Sequence, residues 1–316
     1  MAYRKWLVPF VSAISGWGLI GAAEPGAPSL FRTTAGMVLV PVTVTDHTGK
    51  TVTGLQREHF TILDEHVVQP IVSFAGEDSP SSVGLVLDVS GSMRNTLGDA
   101  RTIVGAFLKT ANPQDEFFLL TVSTKPETVS GFTSDVAALE RTVPQTSSGG
   151  MTALIDTAYL GLSQMRHARS PRRAMLIVSD GLDNNSRYTK SELIRVALEA
   201  DVQVYSVIVR DGATGLGEGF PVVSSMVAKP IDMARQNRGQ YFLEELSEKT
   251  GGLHFRAGNA GEAQGAVRKA SEAIRNIYVI GYEVPEADSS GKWHRIRVKT
   301  DVPHTTVSAR NGYYAR

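Results

Sequence analysis

Residues 83–92, VGLVLDVSGS, pass without a break from an apolar strand into a hydroxyl-rich turn. Val83 to Leu87 show no alternation of apolar and polar positions, the pattern of a strand covered by helices on both faces rather than one with a wet face. Asp88-Val89-Ser90-Gly91-Ser92 then falls at the carboxyl end of that strand, where open α/β sheets bind their ligands. Outward from this point strand and helix patterns alternate. Helices are expected over 97–110, 134–143 with Ser134 as cap, 153–167, 189–200, near 242–250 and over 262–275. Strands are expected over 116–123, 127–132, 174–179 (AMLIVS), 202–209 and 253–256, and Gly212, Gly215, Gly217 and Gly219 mark a flexible loop. This alternation predicts an α/β fold with a doubly wound, mostly parallel, Rossmann-like sheet.

Both flanks are different in character. Residues 37–45, 60–64 and 67–74 before this region, and 277–283, 293–300 and 305–310 after it, read as short strands separated by turns. Either set alone makes a thin sheet, so the two are expected to pair into one β-sandwich, a β-rich flanking module into which the α/β domain is inserted. The expected division is a signal peptide over 1–23, a linker over 24–36, an N-terminal β segment over 37–82, the α/β domain over 83–276 and a C-terminal β segment over 277–316. The signal peptide is read from basic Arg4 and Lys5, the apolar run Trp6 to Ile20, and the small residues Gly21-Ala22-Ala23 before Glu24. Pro9, Gly16 and Gly18 interrupt that run, which is shorter than the roughly 20 apolar residues a membrane span needs.

Composition narrows the function classes. The 32 Lys and Arg balance 32 Asp and Glu, so no global field gathers a nucleic-acid backbone. The absence of cysteine removes disulfides, thiolate nucleophiles, Cys-ligated zinc and iron–sulfur clusters. With 42% hydrophobic residues the 316-residue chain can bury a full core. A leader sequence without cysteines points to a secreted or periplasmic protein of a bacterial-type envelope, with no membrane span in the mature chain.

The chemistry concentrates at strand ends. A carboxylate and two hydroxyls at alternate positions, Asp88, Ser90 and Ser92, can converge on one point, and their oxygens suit a hard cation. Thr152, in the small-residue loop Ser147-Ser148-Gly149-Gly150-Met151-Thr152, and Asp180, at the end of AMLIVS and followed by Gly181, add oxygens from two further loops. Alone, Asp-x-Ser-x-Ser is ordinarily a turn with side-chain-to-backbone hydrogen bonds; the company of Thr152 and Asp180 turns the reading toward a metal. Asp183 and Asn184 follow closely, as polar loop residues or as groups that tune the site or hold a second cation. Gly49-Lys50-Thr51 lies in a β-turn and lacks the first glycine of a phosphate loop. No Gly-x-Ser-x-Gly surrounds Ser90 or Ser92, the seven histidines have no zinc-binding spacing, and the basic run 166–173 suits a solvated helix end.

Asp88-x-Ser90-x-Ser92, then Thr152, then Asp180-Gly181, in that order within an alternating α/β region, closely resembles the metal-ion-dependent adhesion site of von Willebrand factor type A domains. The resemblance covers roughly 83–275. The lead-in VTVTDHTGKTVTGLQREHF (42–60) and the closing ARNGYYAR (309–316) are similar to the VWFA-related domain family first described from acidobacterial proteins. The resemblance implies that Ser90, Ser92 and Thr152 give hydroxyl ligands to Mg²⁺, and that Asp88 and Asp180 bind directly or through water. One position is then left for an Asp or Glu carboxylate of a protein partner. Mn²⁺ and Ca²⁺ are alternatives, since oxygen ligands admit all three. The expected function is thus cation-dependent protein binding or adhesion, not catalysis. Its rivals are a metal-assisted hydrolase with Asp183 as base, and a structural envelope protein whose site has degenerated.

Overall fold

The structure is a computed structural model that describes residues 36–76, 79–210, 228–284 and 291–315. The expected signal peptide over 1–23, all but the last residue of the expected linker over 24–36, and the expected glycine loop of 212–219 lie outside the described residues. In chain order the elements are β1 (Met37–Asp46), β2 (Phe60–Asp64), β3 (Val67–Gln69), β4 (Ser73–Ala75), β5 (Ser81–Asp88), α1 (Leu97–Leu108), β6 (Glu116–Val122), β7 (Pro126–Thr133) and α2 (Val136–Thr142). They continue with α3 (Leu154–Gln164), β8 (Arg172–Ser179), α4 (Lys190–Glu199), β9 (Gln203–Val209), α5 (Ala228–Thr250), β10 (His254–Ala257), α6 (Ala260–Arg275), β11 (Tyr278–Glu283), β12 (Trp293–Thr300), β13 (Thr305–Ala309) and β14 (Gly312–Tyr314).

The central sheet has the order β10-β9-β8-β5-β6-β7. Every pair in it is parallel except β6 with β7. The unbroken apolar run of β5 is explained by what covers it. Val83, Leu85 and Leu87 pack on one face with residues of α1 and α6, while Val86 joins Phe118, Leu120 and residues of α3, α4 and α5 on the other. Gly84 sits on that second face because a Cβ there would overlap the Phe118 ring. The domain is therefore α/β and doubly wound, as expected.

The strands of the two flanks share two four-stranded sheets, β13-β1-β11-β4 and β14-β12-β2-β3. Val38, Val40, Val42 and Val44 of β1 and Tyr278, Ile280 and Tyr282 of β11 face Phe60, Ile62, Ile296, Val298 and Tyr313 of the second sheet, and these side chains form one core. The residues between them, Leu39 and Val279, turn to the opposite face and join the core around α1 and α6. The period of two thus wraps the first sheet in protein on both faces. A buried polar knot pins the second sheet to the first: Asp64 accepts hydrogen bonds from the hydroxyls of Tyr282 and Tyr313, each at 2.9 Å, and its Oδ1 lies 3.1 Å from His294 Nδ1.

Two buried arginines join the layers by capping helices. Arg310 donates to the Leu198 carbonyl at the end of α4, to Asp201 and to the Leu39 carbonyl of β1. Arg172 donates to the carbonyls of Ile274 and Arg275, the last of α6, and to that of Ser79. Each guanidinium satisfies carbonyls that a helix end leaves without an intrahelical partner, and its charge opposes the negative end of the helix dipole.

Local differences from the sequence reading have local causes. The strand expected over 67–74 is two strands in different sheets, β3 on β2 and β4 on β11, because Pro70 between them has no N–H for a ladder. The cap of α2 is Asp135, whose carboxylate accepts from Ala138 N at 2.9 Å, rather than Ser134. α5 begins at Ala228, well before 242. Gly312–Tyr314 adds the short strand β14, paired with β12.

Gly84→Ala should destabilise the fold by about 1–3 kcal/mol, the usual cost of overpacking a core. Chemical denaturation of Gly84→Ala, Phe118→Leu and the double variant tests the stated cause: the double variant is expected to lose less than the sum of the singles.

Candidate metal centre

The winding of the sheet makes a crevice at one edge. β5 and β8 are parallel neighbours, yet the chain leaves β5 for α1 on one face and β8 for α4 on the other. The loops that follow them diverge, and the gap between them is the switch point where α/β sheets place ligands. Asp88 ends β5 and is fully buried. Both of its oxygens are held: Ser90 N donates to Oδ1 at 2.9 Å, and the Ser179 hydroxyl at the end of β8 donates to Oδ2 at 2.6 Å. Ser90 is buried and its Oγ lies 3.0 Å from that of Ser92, which is exposed, so the array opens to solvent at Ser92. Asp180, 7% exposed, accepts from Leu182 N at 2.9 Å and from the Ser92 side chain. Asp88, Ser90, Ser92 and Asp180 are thereby one hydrogen-bonded array.

Thr152 reaches the same crevice through its backbone. Its loop is clamped to the serine loop by Gly91 N on the Gly150 carbonyl, 3.0 Å, and Gly149 N on the Val89 carbonyl, 2.8 Å. Thr152 is buried. Its N–H donates to Asn184 Oδ1 at 2.8 Å, and its carbonyl accepts from the N–H groups of Asn184 and Asn185, both at 3.0 Å. Three loops, after β5, before α3 and after β8, are stitched together at this point.

Asp183 and Asn184 are engaged in that stitching. α3 has no side-chain cap of its own, because Ala153 occupies the cap position. Asp183 Oδ1 accepts from Ile155 N at 3.2 Å and from the Ser186 hydroxyl, whose oxygen accepts from Asp156 N at 3.1 Å. The loop after Asp180 therefore supplies in trans the cap that α3 lacks. Asn184 positions the backbone of Thr152.

Electrostatics distinguish this array from an ordinary turn. Burial, and then the nearby charge of Asp180, push the Asp88 carboxyl up to about 6 against the lowering effect of its bonds from Ser179 and Ser90. Asp180 is also raised, first by burial. Two like charges out of water are costly unless a counter-charge joins them. Among the described residues no three His, Asp or Glu side chains gather around a common point, so the donor set is two carboxylates with hydroxyls. That set suits Mg²⁺ and other hard divalent ions, which take oxygen ligands and keep places for others.

One contributor, Ser179, and one contact, that of Gly181 with α5, escape a reading of the sequence. Ser179 ends an apolar strand, and only the pairing of β8 with β5 puts its hydroxyl on Asp88. Gly181 has φ +83°, and a Cβ there would lie 2.6 Å from the Gly239 carbonyl carbon of α5. The Asp-Gly pair signals the turn; the contact with α5 is tertiary.

Residues 83–182 match the sequence profile of the von Willebrand factor type A domain. An uncharacterized protein of Borreliella burgdorferi is 22% identical over 204 residues, 61% of this chain, which spans 58% of the length of that relative. Among solved structures, a von Willebrand factor type A protein from Catenulispora acidiphila is 13% identical with a TM-score of 0.48, over 90% of this chain and 65% of its own. The conserved hypothetical protein BatB of Bacteroides thetaiotaomicron is 18% identical with a TM-score of 0.47, over 62% of this chain and 100% of its own. Proximal thread matrix protein 1 of the mussel byssus, with a zinc-occupied MIDAS motif, is 13% identical with a TM-score of 0.45, over 65% and 47%. The match over 83–182 takes in most of β5, its hydroxyl turn and Asp180.

Proposed function

We propose that Asp88, Ser90, Ser92, Thr152 and Asp180 hold Mg²⁺ and that the loaded site captures an Asp or Glu side chain of a protein partner. The observation that carries this reading is the buried pair of carboxylates, Asp88 and Asp180, bridged by the Ser90 and Ser92 hydroxyls at a crevice open on the Ser92 side. A bound divalent ion supplies a hard positive centre that accepts a carboxylate oxygen from outside. Two carboxylates only neutralise it, so an incoming acid is still attracted. Ser179 is a positioning residue: it fixes the Asp88 carboxylate and never faces the partner. The domain is a binding module rather than an enzyme, in a chain that a leader over 1–23 directs out of the cytoplasm, with the domain over 83–276 set between the β segments 37–82 and 277–316. The hydrolase reading needs Asp183 as a base, and that carboxylate is engaged at the start of α3.

Calorimetric titration of Mg²⁺ and Mn²⁺ into metal-stripped protein is expected to show one saturable site. Ser179→Ala should weaken it by about 10–100-fold, the usual effect of removing a group that orients a ligand, and Asp88→Asn should weaken it at least as much. Equal affinity in all three proteins would remove the site from these residues.

A second consequence concerns stability. In metal-free protein Asp88→Asn should leave the melting temperature unchanged or raise it, because the substitution discharges a buried group beside Asp180. Saturating Mg²⁺ should raise the melting temperature of the wild type and not that of the variant. Differential scanning calorimetry with and without a chelator reads both; a lower melting temperature for the metal-free variant would contradict the electrostatic account.

A further inference from the structure

A second recess lies away from the crevice, between α4, α5 and the end of the β14-β12 sheet. It is a cleft of about 330 Å³, a size usual for small-molecule sites. One wall is aromatic. Trp293 and Tyr314 are cross-strand partners whose rings meet edge to face at 5.0 Å. Both are more than one-third exposed. Their neighbours His294 and Tyr313 point the other way, into the Asp64 knot.

The indole is held in place. Gly312 carries no side chain, and a Cβ there would overlap the six-membered ring of Trp293. The ring therefore lies across the β14 backbone with Tyr314 at its edge. Glycine at 312 and tyrosine at 314 fix the orientation of a half-exposed tryptophan before any ligand arrives, so little rotamer entropy is lost on binding.

Ile194 and Leu198 of α4 add apolar surface, and the polar part of the lining carries more positive than negative charge. Lys190, Arg195 and Lys249 face one acid, Glu245, which lies 2.8 Å from Lys249. Lys190 also stands 5.0 Å over the Phe242 ring. Ser191 and the Asn311 amide bring both donors and acceptors. A flat apolar ring, neighbouring groups of both hydrogen-bonding senses and an excess of cations suit a ligand with an apolar ring face, hydroxyls around its rim and a negative charge. A phosphate alone would leave the aromatic wall unused.

We infer that this cleft binds acidic saccharides of the uronic acid type. The C–H face of a pyranose rests on Trp293, its hydroxyls meet Asn311 and Ser191, and its carboxylate is drawn by Arg195 and Lys190. The inference rests on neither the candidate metal centre nor any reading of its function.

The test uses the full chain in a chelator, which keeps the divalent site out of the measurement. Calorimetric titration with trigalacturonate is expected to show saturable binding at low ionic strength, with neutral galactotriose at least tenfold weaker. Trp293→Ala should abolish binding to both sugars. Arg195→Gln, a surface substitution on α4 checked by circular dichroism, should weaken trigalacturonate by several-fold and leave galactotriose unchanged. The chain has three tryptophans, Trp6, Trp17 and Trp293. A fluorescence change on sugar addition that is present in the wild type and absent in Trp293→Phe places the ligand on this ring. No saturable binding to trigalacturonate, equal affinity for the neutral sugar, tighter binding of AMP, or full affinity in Trp293→Ala would each overturn the assignment.

Discussion

The Ser179 hydroxyl on the Asp88 carboxylate, 2.6 Å long and fully buried, crosses from β8 to β5 at the point where the sheet changes its direction of winding. Much of the crevice is arranged around it. On one side it fixes Asp88, whose other oxygen then orders the serine loop through Ser90 N. On the other side the same Ser179 oxygen accepts from Gly181 N at 2.9 Å, which sets the turn that carries Asp180. A single hydroxyl thus fixes the first residues of two diverging loops. In a site built from loops, that degree of preorganisation is what lets oxygens from separate strands share one position.

The array is costly for the metal-free fold, since a carboxylate held near 6 by burial and repulsion opposes compaction at neutral pH. Rigidity elsewhere offsets the strain. The helices beside the crevice are fixed at ends that the sequence would leave bare: α3 at its start by Asp183 and Ser186, α4 at its end by Arg310, α6 at its end by Arg172. None of these groups belongs to the helix it caps. The Tyr205 hydroxyl, between Gln203 Oε1 at 3.0 Å and Thr43 Oγ1 at 2.8 Å, adds a further buried tie from β9 to β1. The β layer is therefore part of the support of the α/β domain, and a piece cut out at 83 and 276 would lose Arg310, Thr43 and, with Ile277 and Val279, part of its own core.

What could be read in the sequence was whatever a periodicity or a short motif encodes. VGLVLDVSGS carries its own burial on two faces and its own strand end, and Asp180-Gly181 repeats that arrangement one strand over. Local punctuation was harder. Pro70 divides what looks like one strand, and Asp135 outcompetes Ser134 because its carboxylate reaches Ala138 N. Gly312–Tyr314 is too short to show any pattern before β12 pairs with it. Long-range roles left no local mark: Ser179 ends the expected strand AMLIVS, Arg172 falls in a basic run that suits a solvated helix end, Arg310 ends the expected strand 305–310, and nothing local shows that Phe118 occupies the place of a side chain at Gly84.

The segment from Asp183 to Lys190 links the two recesses of the molecule. It leaves the crevice by capping α3 and holding Thr152. Asp156 Oδ1 then accepts from Arg187 N at 2.8 Å and Tyr188 N at 3.1 Å, and Tyr188 stacks on Tyr159 of α3 at 4.0 Å. The segment ends in the Thr189–Glu192 capping box that starts α4, where Lys190 and Arg195 line the second cleft. Each backbone turn along this path is hydrogen-bonded to α3 or to its own helix, so the position of α4 is tied to the loop that positions Thr152. Gly181 against Gly239 makes the same connection for α5. Both helices that wall the aromatic cleft are thus referenced to the loop that follows β8, and the geometry of one recess is set by the same segment as that of the other.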